Sequence, residues 1–113
     1  MINNEVKKVF DNLGIPFFYM QAPKNNYDKY CIFSIYKEQE LGIYEGSAIK
    51  VVYYCSINYW YKKPEDGIKY TEIKRALKAN KMIVRDVVDL PMSNGYYGKN
   101  FNIKIVRLLN QNE

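Results

Sequence analysis

Ile2, Val6, Val9, Phe10 and Leu13 recur at helical spacing and form one apolar stripe. The pattern predicts an opening helix, capped by Asn3 or Asn4 and stopped by Gly14 and Pro16. The short aromatic run from Pro16 to Met20 then reads as a strand. Gln21 to Asp28, with Pro23, Asn25 and Asn26, reads as a loop. Tyr30 to Tyr36 alternates, placing Cys31, Phe33 and Ile35 on one face of a second strand. Glu38 to Ser47 is polar, contains Gly42 and Gly46, and predicts a long hairpin connection. Ala48 to Tyr61 is the longest β run. Its odd positions, Ile49 to Tyr61, should meet the core, and the even positions, among them Lys50, Tyr54, Ser56, Asn58 and Trp60, should face outward. A run this long predicts a bulge or bend within it. Pro64 to Ala79 predicts a second helix. Pro64, Glu65 and Asp66 suit its first turn, Tyr70, Ile73, Ala76 and Leu77 form its inner stripe, and Gly67 weakens it. Met82 to Leu90 predicts a fourth strand. Asn94-Gly95 signals a hairpin within the connection 91–99, and Phe101, Ile103 and Ile105 alternate along a fifth strand.

The order α-β-β-β-α-β-β predicts a single α+β domain over residues 1–113. Its natural form is one mainly antiparallel sheet of about five strands with two helices packed on it. With 113 residues, 48% of them hydrophobic, the chain supports one modest core without staples. No run of apolar residues is long enough to span a membrane, and Met1 to Leu13 lacks the apolar run of an export signal. Cys31 and Cys55 lie in apolar strand-like runs, which favours buried thiols over a disulfide. The net charge of +5 permits attraction to anionic partners, and its densest basic group, from Lys62 to Lys81, reads as a solvated helix face.

Catalytic signatures are missing. The chain has no histidine, which removes His-based triads, His general acid–base work and His metal ligation together. Two cysteines cannot form a four-thiolate zinc site, and neither GxxxxGK[ST] nor GxGxxG occurs. Glu38, Glu40 and Glu45 cluster in a polar connection, and Asp86 and Asp89 near a strand end. Neither group has the apolar surroundings that raise a carboxyl pKa for acid catalysis. A histidine-free basic ribonuclease would draw on Arg75, Arg85, Arg107 and tyrosines, but no spacing singles them out. The sequence therefore predicts no catalytic residue, no metal site and no cofactor.

Twelve tyrosines are the sharpest anomaly. Tyr53, Tyr59 and Tyr70 suit the core or its edge, with the hydroxyl reaching water. Tyr44, Tyr96 and Tyr97 fall in predicted hairpin tips, where exposed tyrosine suits a protein interface. Leu41 and Ile43 are apolar residues in the same polar connection as Tyr44, and with these tyrosines they complete a candidate interface set. The competing reading is a stacking platform for single-stranded nucleic acid built on Lys50, Tyr54 and Trp60. Val52 and Ser56 interrupt that row, so nucleic acid is the less favoured partner.

The layout resembles a known family. The features that carry the resemblance are Leu13-Gly14-Ile15-Pro16 closing a short helix, the strand Phe17-Phe18-Tyr19, and the strand from Tyr30 to Tyr36. A variable hairpin, a long strand ending in Ile57-Asn58-Tyr59-Trp60-Tyr61-Lys62-Lys63, an acidic-start helix and a final β pair complete it. This is similar to the small tail-completion proteins (tail terminators, or head–tail joining proteins) of long-tailed phages and prophages. The resemblance implies a structural virion subunit without enzymatic activity, present in the bacterial host cytoplasm during assembly. It implies a homo-oligomeric ring, commonly a hexamer, that ends tail-tube polymerisation and meets both the tail-tube protein and the head connector. The alternative is a small basic nucleic-acid-binding or ribonuclease-toxin-like domain.

Overall fold

The computed structural model describes residues 2–42 and 49–109. The fold is α+β, with two α-helices and one mixed five-stranded sheet. Helix α1 (Ile2–Leu13) buries Ile2, Val6, Val9 and Phe10, the stripe expected from their spacing. It already includes Ile2, so Asn3 and Asn4 lie in its first turn and not at its cap. At its end Gly14 adopts φ +72°, the Ile15 amide donates to Phe10 O at 3.0 Å and the Gly14 amide donates to Asp11 O at 3.1 Å. This pair of bonds satisfies two of the helix's last carbonyls and turns the chain toward strand β1 (Phe17–Tyr19).

Strand β1 runs parallel to β2 (Lys29–Gly42), and β2 runs antiparallel to β3 (Ile49–Tyr61). A 3₁₀ turn (Pro64–Lys69) leads into helix α2 (Tyr70–Ala79), so the helix predicted from Pro64 is α-helical only in its second part. Strand β4 (Met82–Ser93) and strand β5 (Tyr96–Leu109) complete a sheet ordered β1-β2-β3-β5-β4. The last strand therefore slots between β3 and β4.

Three local expectations need correcting. The connection predicted from Glu38 to Ser47 is strand as far as Gly42. Strand β3 has an unbroken register with β5. The irregularity expected in β3 lies instead in its partner β2, between Ile35 and Lys37. The turn after β4 is only Asn94-Gly95, with φ of +50° and +83°. Pro91 sits inside β4 at an irregularity between Leu90 and Ser93, an edge position where a missing N–H costs no ladder bond.

Both helices lie on one side of the sheet, over the odd positions of β3. Cys55, Ile57 and Tyr59 are fully buried there with Phe33, Phe101, Ile103 and Ile105, beneath Phe10, Ile73 and Leu77. Full burial of side chains of this size stabilises by about 1.5–3 kcal/mol each, which makes this layer the main source of cohesion. Tyr59 is the only one of these that carries a side-chain oxygen. It donates to Asp66 O at 2.9 Å, tying the 3₁₀ turn to the core. Cys31 and Cys55 are buried free thiols. Cys31 faces Tyr59 across the ladder while Cys55 faces Ile35, so the two sit four residues apart in register, about 13 Å at ~3.3 Å per residue.

Candidate interaction surface

The even positions of β3 face away from both helices. With their neighbours they form an uncovered sheet face in which register decides every juxtaposition. Lys37, Tyr54 and Lys104 lie in one row across β2, β3 and β5, and Ile83 of β4 follows Lys104. Asn102 and Ser56 lie in the next row and Asn58 and Asn100 in the one beyond. Trp60 lies beside Gly98, with Leu90 on the far side of that glycine.

These side chains are interlocked. Asn100 Nδ2 donates to Ser56 Oγ and Asn58 Oδ1, both at 2.7 Å, and the Tyr36 hydroxyl donates to Asn102 Oδ1 at 2.9 Å. Tyr36 is the extra residue of the β2 irregularity, and its ring lies 6.3 Å from that of Tyr54. Three cations surround Tyr54: Lys37 at 5.3 Å, Arg85 at 5.4 Å and Lys104 at 6.0 Å from the ring centre. Arg85 reaches it because β4 carries an extra residue between Val84 and Asp86. Among the described residues none of these three cations is in a salt bridge. The carboxylate on this face, Asp86, stands opposite Asn102.

Beyond Lys37 the sheet narrows to an arm of three strands. Strand β1 covers β2 only at Cys31–Phe33, and β4 follows β5 only as far as Ile105. The outer edge of β2 from Tyr36 to Gly42 and that of β5 beyond Ile105 therefore have no partner strand among the described residues. On the uncovered face of the arm, Leu41 and Leu108 flank Lys50, and Gln39 and Val106 flank Val52. Leu41 is 42% and Leu108 66% exposed. On the helix side, Glu38, Glu40 and Arg107 gather around Tyr53. Partial burial pushes the Tyr53 hydroxyl up, helped by the Glu38, Glu5 and Glu40 carboxylates and opposed by Arg107. The Arg107 guanidinium donates to Glu5 Oε1 from Nε at 3.0 Å and from Nη2 at 2.8 Å, tying the arm to α1.

Of the predicted interface residues, Leu41 is not brought together with Tyr96 and Tyr97. Leu41 stands exposed on the arm. Ile43 and Tyr44 lie outside the described residues. Tyr96 is not at an exposed tip, because the two-residue turn makes it the first residue of β5. Its ring packs edge-on against Tyr30 at 5.3 Å, and its hydroxyl donates to Tyr27 O at 2.7 Å. Tyr97 stacks on Tyr61 at 5.5 Å, on the helix side. Leu108, Val106 and the Tyr54 cation cluster were missed from sequence. Only the alternation of β5 carried a signal for the first two, and a cluster spread over four strands leaves none.

Among the described residues, no group of three or more His, Cys, Asp and Glu side chains could hold a metal ion. Arg75 lies on α2, Arg85 on the opposite side of the sheet, and Arg107 is engaged by Glu5, so the three arginines do not converge. Burial pushes both thiols up, that of Cys55 to about 12, which keeps them protonated and unreactive. No described helix is long and apolar enough to cross a membrane. No protein-family model matches the chain, and no curated protein shows significant similarity to it.

Proposed function

We propose that the protein is a non-enzymatic assembly subunit that joins copies of itself into a closed ring, as a tail-terminator-like component of a phage tail. The observation that carries the reading is the three-stranded arm, with two edges that have no partner strand among the described residues and a leucine pair exposed on one face. An unpaired edge presents a row of free N–H and C=O groups that another strand can complete. One molecule offers such an edge on β2 and a different one on β5. Contact between unlike surfaces is what a head-to-tail ring requires. Leu41, Val106 and Leu108 supply apolar area beside those edges. The place in a tail, at the junction of tube and head connector, rests on the resemblance in element order and strand-end residues.

Multi-angle light scattering over a dilution series tests the self-association. The expected result is one closed oligomer that persists in high salt, and a monomer for Leu41→Glu with Leu108→Glu. A wild-type chain that stays monomeric, alone and with tail-tube protein added, contradicts the proposal.

A further inference from the structure

We infer that the uncovered sheet face binds single-stranded nucleic acid, with backbone phosphates at Lys37, Arg85 and Lys104 and a base stacked at Trp60. The inference does not depend on the ring. Its first ground is charge. Lys37, Arg85 and Lys104 lie within 6.0 Å of the centre of one tyrosine ring, with no ion-pair partner among the described residues. Three like charges grouped around one ring repel one another, and successive phosphates of one strand, one at each cation, relieve the repulsion. Lys50 lies further along the same face and Lys62 stands over Tyr96 at its other end, so among the described residues cations outnumber the Asp86 carboxylate there.

The second ground is the indole of Trp60. It lies against the backbone of Gly98 so closely that a Cβ there would fall 2.4 Å from a ring carbon. The ring also lines a shallow hollow with Ala22, Tyr30, Ile32 and Asn94. An aromatic ring laid on a sheet beside an open hollow suits a base, whose face any aromatic can accept. Trp60 and Tyr54 are six residues apart on one strand, about 20 Å at ~3.3 Å per residue. Between them run Ser56, Asn58, Asn100 and Asn102, whose amides and hydroxyl can meet sugars and base edges. An acidic protein segment would satisfy the cations but leave the indole and the amide row without a role.

Trp60 is the only tryptophan, so its fluorescence reports directly on stacking. The experiment titrates the full chain with an unstructured oligo-dT across a salt series, with poly-glutamate as the acidic-polypeptide probe. Binding should quench Trp60, and the logarithm of affinity should fall with that of salt concentration by about 0.7 per phosphate neutralised, roughly 2 in all. The triple variant Lys37→Gln, Arg85→Gln, Lys104→Gln should lose most of that slope, and the single variants about a third each. Lys74→Gln with Lys78→Gln, on the far side of the molecule, should leave it unchanged. Absence of quenching, equal binding of poly-glutamate, or loss of binding in the α2 variant instead of the sheet variants each overturns the inference.

Discussion

Replacing Gly98 by alanine isolates the packing on the uncovered face. A glycine-to-alanine change in a strand ordinarily stabilises by about 0.4–1 kcal/mol, because it restricts the unfolded chain. Here the added methyl would stand 2.4, 2.8 and 2.9 Å from three ring carbons of Trp60. Carbon atoms pack at about 3.5–4.0 Å, so the indole must withdraw by at least an ångström. Overpacking of this kind costs about 1–3 kcal/mol. The second effect exceeds the first, and Gly98→Ala should destabilise by about 1–2 kcal/mol. A domain of this size loses roughly 3–6 °C in Tm per kcal/mol. Urea titration gives the free energy, and the emission of the single tryptophan reports its displacement, with a shift to longer wavelength as the ring leaves the sheet. Trp60→Leu should remove most of the penalty, so the double variant should be less destabilised than the two single changes added together. An unchanged emission maximum with unchanged or raised stability in Gly98→Ala refutes the close approach of Trp60 to Gly98.

Two further outcomes follow from the helix side. Folding pushes the Cys31, Cys55 and Tyr59 pKa values up from their ordinary 9.0 and 10.0, chiefly by burial. The unfolded chain therefore releases these protons at lower pH than the folded one. The contribution of these three groups to stability should be constant below about pH 8 and fall as pH rises through 9 and 10; a urea midpoint that is the same at pH 8 and pH 11 contradicts the buried placement. Arg107→Ala should cost about 1 kcal/mol, and a double-mutant cycle with Glu5→Ala should return a coupling of about 0.5–1 kcal/mol, since the pair is only partly shielded from water. Coupling near zero means that the fork does not tie the arm to α1.

The parts of the fold that were legible in the sequence are those decided locally. The stripe of α1 and its glycine stop, the inward odd positions of β3 and the Asn94-Gly95 turn each depend on residues a few positions apart. The far half of β2 was hidden because Tyr36 to Gly42 is exposed throughout, so no alternation of buried and exposed positions marks it as strand. Tyr96 looked free because the connection around Pro91 seemed long. The actual turn of two residues places it at the start of a ladder, where Tyr30 covers it. The Tyr54 cluster was illegible for a different reason: it needs register across four strands and an extra residue in β4 to aim Arg85.

The position of β5 between β3 and β4 has a consequence for biogenesis. Until the ribosome has released the chain through Leu109, β3 and β4 have no common neighbour, and Phe101, Ile103 and Ile105 are missing from the centre of the buried layer. The hairpin of β2 and β3 can form early because its contacts are local, but it then waits with one apolar face bare. Closure is thus a late, long-range event, and a nascent chain paused before Tyr96 offers two sticky strands to chaperones or to aggregation.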